Sequence, residues 1–388
     1  VRVLFATHSY PRFAGDAAGS FLLRLAQALR GEDVTVDVLA PSAPGLAPHD
    51  EIGGIPVHRF RYAPRRYETL AYTGTMADDV ARSASAKLAL GGMLAAETEA
   101  ILRIARERRV DVVHAHWWFP NGMSASTAAR VSGVPLVITS HGTDVRLLAR
   151  TPRAGSLARY AFGAADAVTC VSGWLAQQAA PFTRTPPIVA PMPAAVELFN
   201  PSAERAASRV LFAGRLSEQK GIGLALRAFA RVCATAQLHV IGDGPARPDL
   251  QRLAGELGIA DRVEWIPTMP QIELAKALAA ATVVIVPSVE EGLGLIAAEA
   301  QLCETPVVAS ASGGLTDVVR DDETGVLVPP GDVGALATAI DALLADPARR
   351  ARLGTAGRAA ALATFSPDAV ARRYAALYRT VLDRHVAT

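Results

Sequence analysis

Two glutamates, Glu291 and Glu299, flank the run Gly292-Leu293-Gly294-Leu295, which follows the apolar stretch Val283-Val284-Ile285-Val286. The glycines allow close backbone approach, and the apolar residues after them read as a helix start whose free amides and positive end would seat a diphosphate. Carboxylates beside such a seat would repel the phosphates unless they accept hydrogen bonds from neutral hydroxyls, which points to a sugar and a ribose. An isolated glutamate pair is most often solvated surface. This pair has company: after the apolar run ending at Ala213, Gly214-Arg215-Leu216-Ser217-Glu218-Gln219-Lys220-Gly221 puts a guanidinium and an ammonium in one turn. Both could reach one anion. Lysine is scarce in this chain, only Lys87, Lys220 and Lys276 among 39 basic residues, so its use at 220 is informative. A third apolar run is followed by Gly242-Asp243-Gly244-Pro245, a turn whose backbone could approach a flat base. Each feature alone is common on surfaces. Three in succession at the ends of apolar runs are expected to form one site.

The front half offers less charge. Gly15-Asp16-Ala17-Ala18-Gly19-Ser20 follows the first apolar run without forming the dinucleotide Gly-x-Gly-x-x-Gly, so a nicotinamide reading has no anchor. His141-Gly142-Thr143-Asp144 follows another apolar run; a lone histidine is more often structural, and Asp144 is read as a helix cap. His114 and His116 are expected on opposite sides of a strand and hence to be a poor metal pair. His116, followed by Trp117-Trp118-Phe119, fits an acceptor pocket or ordinary core equally well.

The elements that must position these groups alternate as in parallel α/β domains. Strands are expected at 2–7, 34–40, 110–115, 135–140 and 167–171, and again at 210–213, 238–241, 263–266, 283–286 and 306–309. Phe21, Leu25 and Leu29 predict a helix ending at a left-handed Gly31. The prolines at 186, 187, 191, 193 and 201 interrupt all periodicity. The domain boundary is therefore expected near 191–207: residues 1–195 plus about 372–388 form the first domain, about 196–371 the second. The stripe Val370, Tyr374, Leu377, Tyr378, Val381, Leu382 would return to pack on the first domain. The fold class is α/β, two doubly wound Rossmann-like domains facing a central cleft, with chemistry at the carboxyl ends of the strands.

Composition agrees with a soluble globular protein: 388 residues, 51% apolar and 20% charged. Residues 1–190 carry 20 Lys and Arg against 15 Asp and Glu, and the remainder 19 against 22. That excess is too small and dispersed for nucleic acid, though it suits weak attraction to anionic lipid or to acidic substrates. Arg59, Arg61, Arg65 and Arg66 beside Tyr62, Tyr67 and Tyr72 would be the contact, with a solvated loop as the plain alternative. Three cysteines without metal-ligand spacing, Cys170, Cys233 and Cys303, suggest a reducing compartment, hence cytoplasmic, with peripheral contact at the inner face of the membrane. No apolar run reaches membrane-spanning length, and Val1-Arg2-Val3-Leu4-Phe5-Ala6-Thr7 reads as a strand rather than a signal peptide.

In these motifs and their order, together with Gly313-Gly314 and Gly325-Val326-Leu327-Val328-Pro329-Pro330-Gly331-Asp332, the chain resembles the retaining glycosyltransferases of family 4, which have the two-domain GT-B fold. The resemblance implies that Arg215 and Lys220 bind a donor diphosphate, that Glu291 holds the transferred sugar and Glu299 the ribose, and that backbone near Gly244, Thr268 and Met269 lines the base. It also implies that the loop with Gly15 and Gly19 approaches the donor and that His141 faces the donor sugar. The partners would be a nucleotide sugar and a hydroxyl acceptor, a glycan, a lipid-linked molecule or a small molecule, with no separate cofactor. Pro191-Met192-Pro193 departs from the family's Pro-Asn-Gly at the hinge. No Asp-x-Asp occurs, so the usual carboxylate clamp for a nucleotide-bound cation is missing and no metal is expected. A nucleotide-sugar-binding module without transfer, and an epimerase or phosphorylase on a similar scaffold, are the alternatives.

Overall fold

Apolar runs that are buried along their whole length become parallel strands, because a parallel sheet is covered on both faces. The structure, a computed structural model, describes residues 1–16, 18–72, 76–150, 154–202, 204–205, 208–233 and 235–386. Ala17 of the expected donor loop, and residues 203, 206 and 207 of the expected linker, lie outside them. The chain divides into two compact units, Val1–Pro193 with Pro367–Thr388, and Ala194–Ser366.

Unit 1 is built on eight strands: β1 (Arg2–Ala6), β2 (Thr35–Pro41), β3 (His49–Ile52), β4 (Ile55–Phe60), β5 (Val112–His116), β6 (Leu136–Ser140), β7 (Ala167–Cys170) and β8 (Ile188–Val189). Their order is β3-β4-β2-β1-β5-β6-β7-β8, with only the β3–β4 pair antiparallel. Every residue of β5, β6 and β7 is buried. Unit 2 carries β9 (Arg209–Ala213), β10 (Gln237–Ile241), β11 (Val263–Ile266), β12 (Val283–Val286), β13 (Val307–Ser310) and β14 (Val326–Val328), all parallel in the order β11-β10-β9-β12-β13-β14. The expected strands are present; the β3–β4 hairpin, β8 and β14 are additional.

Two expectations are corrected by local hydrogen bonding. The first helix, Ser20–Leu29, buries Leu22, Leu25, Ala26 and Leu29, with Phe21 only partly covered. It runs on into a tight turn, Arg30–Glu32, and the left-handed residue is Asp33 (φ 57°), whose amide donates to the Arg30 carbonyl, rather than Gly31. The crossings between units fall at Pro193–Ala194 and Ser366–Pro367 rather than at 195 and 371. Ala194 N–H donates to the Phe365 carbonyl at 2.9 Å, which ties both residues into unit 2, and Pro367 opens a new helix. In that helix, Pro367–Val386, the residues Val370, Tyr374, Tyr378 and Val381 are buried, and it packs against Ser20–Leu29. No helix of the described residues is long and apolar enough to cross a membrane.

Candidate active site

In unit 2 the candidate charged groups sit on loops leaving the carboxyl ends of β9, β10 and β12 and, for Glu299, in the helix that follows β12. Lys220 Nζ lies 2.6 Å from Glu291 Oε2, and the two side chains are 29% and 12% exposed. Ser288 Oγ donates to the same carboxylate oxygen at 3.2 Å. One oxygen of Glu291 is thus engaged twice, and Oε1 has no partner among the described residues. The two loops are also tied through their backbones. Gln219 Nε2 donates to the Glu290 carbonyl at 2.8 Å, and Val289 N–H donates to the Gln219 carbonyl at 3.0 Å. Gly313, in the left-handed region at φ 57°, lies so close to the Glu291 carbonyl that a Cβ would overlap it, and the Gly314 amide donates to that carbonyl at 2.8 Å.

Gly294 (φ 86°) caps the helix Leu295–Leu302, whose first-turn amides lack acceptors within the helix. Gly292 and Leu295 are partly exposed before that turn, while Leu293 is buried. Glu299 lies in the second turn, partly exposed. Arg215 is exposed and forms no hydrogen bond or ion pair with the described residues. Gly244 packs against the Leu216 carbonyl, Thr268 is exposed and Met269 partly so. The structure therefore brings Lys220 and Glu291 into direct contact and leaves Arg215 unengaged. Sequence reasoning missed Ser288 and Gln219, whose contacts join loops 71 residues apart in the case of Gln219 and Glu290.

Unit 1 presents a different chemistry at the ends of β5 and β6. Asp144 is buried and accepts from three backbone amides: Trp118 (2.9 Å), Gly142 (2.9 Å) and His141 (3.1 Å). It is a clasp between two loops rather than a simple cap. Burial raises its carboxyl above the usual range against the pull of those amides. His141 Nε2 lies 3.2 Å from His116 Nδ1, and its ring is 4.3 Å from Trp117 and 5.4 Å from Phe21. Burial holds His141 and His116 well below the ordinary histidine value, so both are neutral near pH 7. His8, whose Nδ1 accepts from Asn121 Nδ2 at 3.2 Å, is pushed down by burial to about 4.

The expectation for His114 and His116 is overturned: their rings lie 4.0 Å apart, tilted by 38°, because residues two apart on a strand share a face. His114 is held by the Tyr378 hydroxyl at 2.7 Å and Thr139 Oγ1 at 2.6 Å, and His116 is fully buried, which makes it core rather than pocket lining. Among the described residues no three His, Cys, Asp or Glu side chains group as a metal would require. Gly15 (φ 88°) has open space around it, whereas Gly19 is pressed against the Ser9 carbonyl where the first helix begins. The basic stretch is only partly a surface. Arg59 is buried, donating to the Tyr72 hydroxyl (2.7 Å) and the Pro11 carbonyl (2.6 Å), and Tyr62 is buried too. Arg61, Arg65, Arg66 and Tyr67 remain exposed.

Residues 199–360 match the model of the glycosyl transferases group 1, and residues 18–192 that of glycosyltransferase family 4. A D-inositol 3-phosphate glycosyltransferase of Xylanimonas cellulosilytica is 33% identical, over 89% of this chain and 88% of the relative. One from Catenulispora acidiphila is 34% identical, over 95% and 92%. Among solved structures, sucrose-phosphate synthase from Thermosynechococcus elongatus superposes with a TM-score of 0.80 at 25% identity, covering 99% of both chains. Anabaena HepE in complex with UDP-glucose gives 0.72 at 20% identity, covering 98% and 99%, a likeness of fold. Taken with both family models, relatives this similar over nearly the whole length show that the chain belongs to glycosyltransferase family 4, the group 1 glycosyltransferases.

Proposed function

We propose that this glycosyltransferase moves a sugar from a nucleoside diphosphate to a hydroxyl acceptor with retention of anomeric configuration. The observation that carries the reading is the Lys220–Glu291 contact beside the Gly292–Leu295 turn, a cation, a carboxylate and a helix start at the carboxyl end of one sheet. Lys220, with Arg215 and the first-turn amides, would take the charge that develops on the departing diphosphate. Glu291 Oε1 would accept from a sugar hydroxyl and Glu299 from the ribose. The acceptor hydroxyl attacks from the side the leaving group vacates: the bond to the diphosphate breaks, the new glycosidic bond forms on the same face, and the hydroxyl proton leaves with the diphosphate. Leaving-group stabilisation of this kind needs no divalent ion, and His141, neutral, would contact the donor sugar by hydrogen bonding.

The donor class is supported by HepE in complex with UDP-glucose and by Arabidopsis starch synthase IV bound to ADP and acarbose. The relatives' names make D-inositol 3-phosphate the first hydroxyl acceptor to try. Exposed Arg61, Arg65, Arg66 and Tyr67 would add weak, salt-sensitive contact with anionic membrane. Incubation with UDP-, GDP- and ADP-glucose, with and without acceptor and with EDTA throughout, tests the reading by NMR of the product's anomeric proton. Transfer with retained configuration is expected. Binding without transfer, isomerisation of the donor, an inverted product, or a requirement for added magnesium would each refute the corresponding part.

A further inference from the structure

The charged groups above address phosphates, ribose and sugar, and the main chain expected to line the base, near Gly244, Thr268 and Met269, must itself be held in place. The segment after β11 is Pro267-Thr268-Met269-Pro270, and its two prolines have no N–H, so only Thr268 and Met269 can donate from its main chain. The Thr268 amide is already engaged, donating to Asp243 Oδ2 at 2.9 Å. The other carboxylate oxygen accepts from Arg247 Nη1 at 2.7 Å, and Arg247 Nη2 donates to the Trp265 carbonyl of β11 at 3.2 Å. Asp243 is itself held in place. Its carbonyl accepts from the Leu216 amide at 3.0 Å, and the next residue, Gly244, is pressed against the Leu216 carbonyl. One residue therefore links the loops after β9, β10 and β11, through its carbonyl to the first and its side chain to the last. The Asp243 side chain is 52% exposed. An exposed ion pair with Arg247 alone would contribute little; the bond to the Thr268 amide gives this carboxylate a purpose, and it is also the chief influence holding Asp243 below the usual carboxylate range.

Resting on the donor reading above, we propose that Asp243 is a positioning residue for base recognition. It pins Thr268 and leaves the Met269 N–H, which has no acceptor among the described residues, as the one main-chain donor of the 267–270 segment for the edge of a nucleobase. Because Asp243 touches neither phosphate nor sugar in this scheme, its loss should weaken what the base contributes and spare what the diphosphate contributes.

Calorimetry on the wild type, Asp243→Ala and Asp243→Asn with UDP, GDP, ADP and inorganic pyrophosphate separates the two. Asp243→Ala should weaken the tightest nucleoside diphosphate about tenfold or more and narrow its preference over the other two, while pyrophosphate changes by less than about twofold. Asp243→Asn keeps an acceptor for Thr268 without the charge for Arg247 and should fall between. Equal weakening of pyrophosphate and nucleotide, or a base preference that survives Asp243→Ala, would overturn the assignment while leaving the donor reading intact. A wild type that binds no nucleoside diphosphate more tightly than pyrophosphate would overturn both.

Discussion

The polar groups of unit 2 sit where water reaches them: Arg215 is unengaged, Lys220 and Glu291 are paired with one carboxylate oxygen left over, and Asp243 is half exposed. In unit 1 the comparable strand ends are lined with imidazoles packed among Phe5, Phe21 and Trp117, and burial keeps those rings neutral. The strand ends of unit 2 present charge, and those of unit 1 present shape and neutral hydrogen bonds.

Lys220 gives the sharpest test of that contrast. Lys220→Ala should lower turnover on the order of a hundredfold or more, the scale for removing one preorganised donor, and Lys220→Arg should restore only part, because a planar fork replaces a compact ammonium. A mild effect of Lys220→Ala on rate would remove the charged strand ends from the chemistry.

Next in size is the stability of unit 1. Glu97 is fully buried, its carboxyl oxygens have no well-formed hydrogen bond among the described residues, and the nearby Ser124 hydroxyl, which only weakly offsets the burial, donates to the Leu94 carbonyl. Burial raises Glu97 from 4.5 to about 8, so the unfolded chain loses its proton first and stability falls as pH rises from about 4.5 to 8. Glu97→Gln should flatten that limb by about 2 kcal/mol between pH 5.5 and 7 in denaturant titrations. The buried histidines have the opposite sign. Their folded values lie below 6.5, so the unfolded chain takes up protons first and stability is lost as pH falls below about 6.5. An alkaline limb that persists in Glu97→Gln would show that another group governs it.

The smallest expected effect is none at all: kcat/KM should show no step near pH 6.5, since His141 is already neutral there. A step that disappears in His141→Asn would mean that the ring titrates in the working enzyme and that the neutral strand ends are misread.

The loops of unit 2 were legible because their charged residues follow buried runs directly, so position and chemistry could be read together from Arg215, Lys220 and Glu291. Ser288 and Asp243 were not, because their work lies in partners across the sheet: Asp243 serves an amide 25 residues away. The β3–β4 hairpin escaped notice since His49, Asp50 and Glu51 are all exposed and give no alternation. β14 has only three residues. The basic stretch misled through Arg59, whose charge suggests a surface while its place in β4 buries it. The stereochemical course and the identities of base and acceptor leave no local pattern of residue types.

The helix Pro367–Val386 has a consequence for the order in which the chain matures. Unit 2 is one uninterrupted segment, complete once Ser366 has left the ribosome. Unit 1 begins first but lacks Tyr374 and Tyr378, which seal the buried His114 and Thr139, until this last helix emerges. Synthesis runs from the amino end, yet the domain made first finishes last, so during translation unit 1 carries an uncovered apolar face through the whole elongation of unit 2.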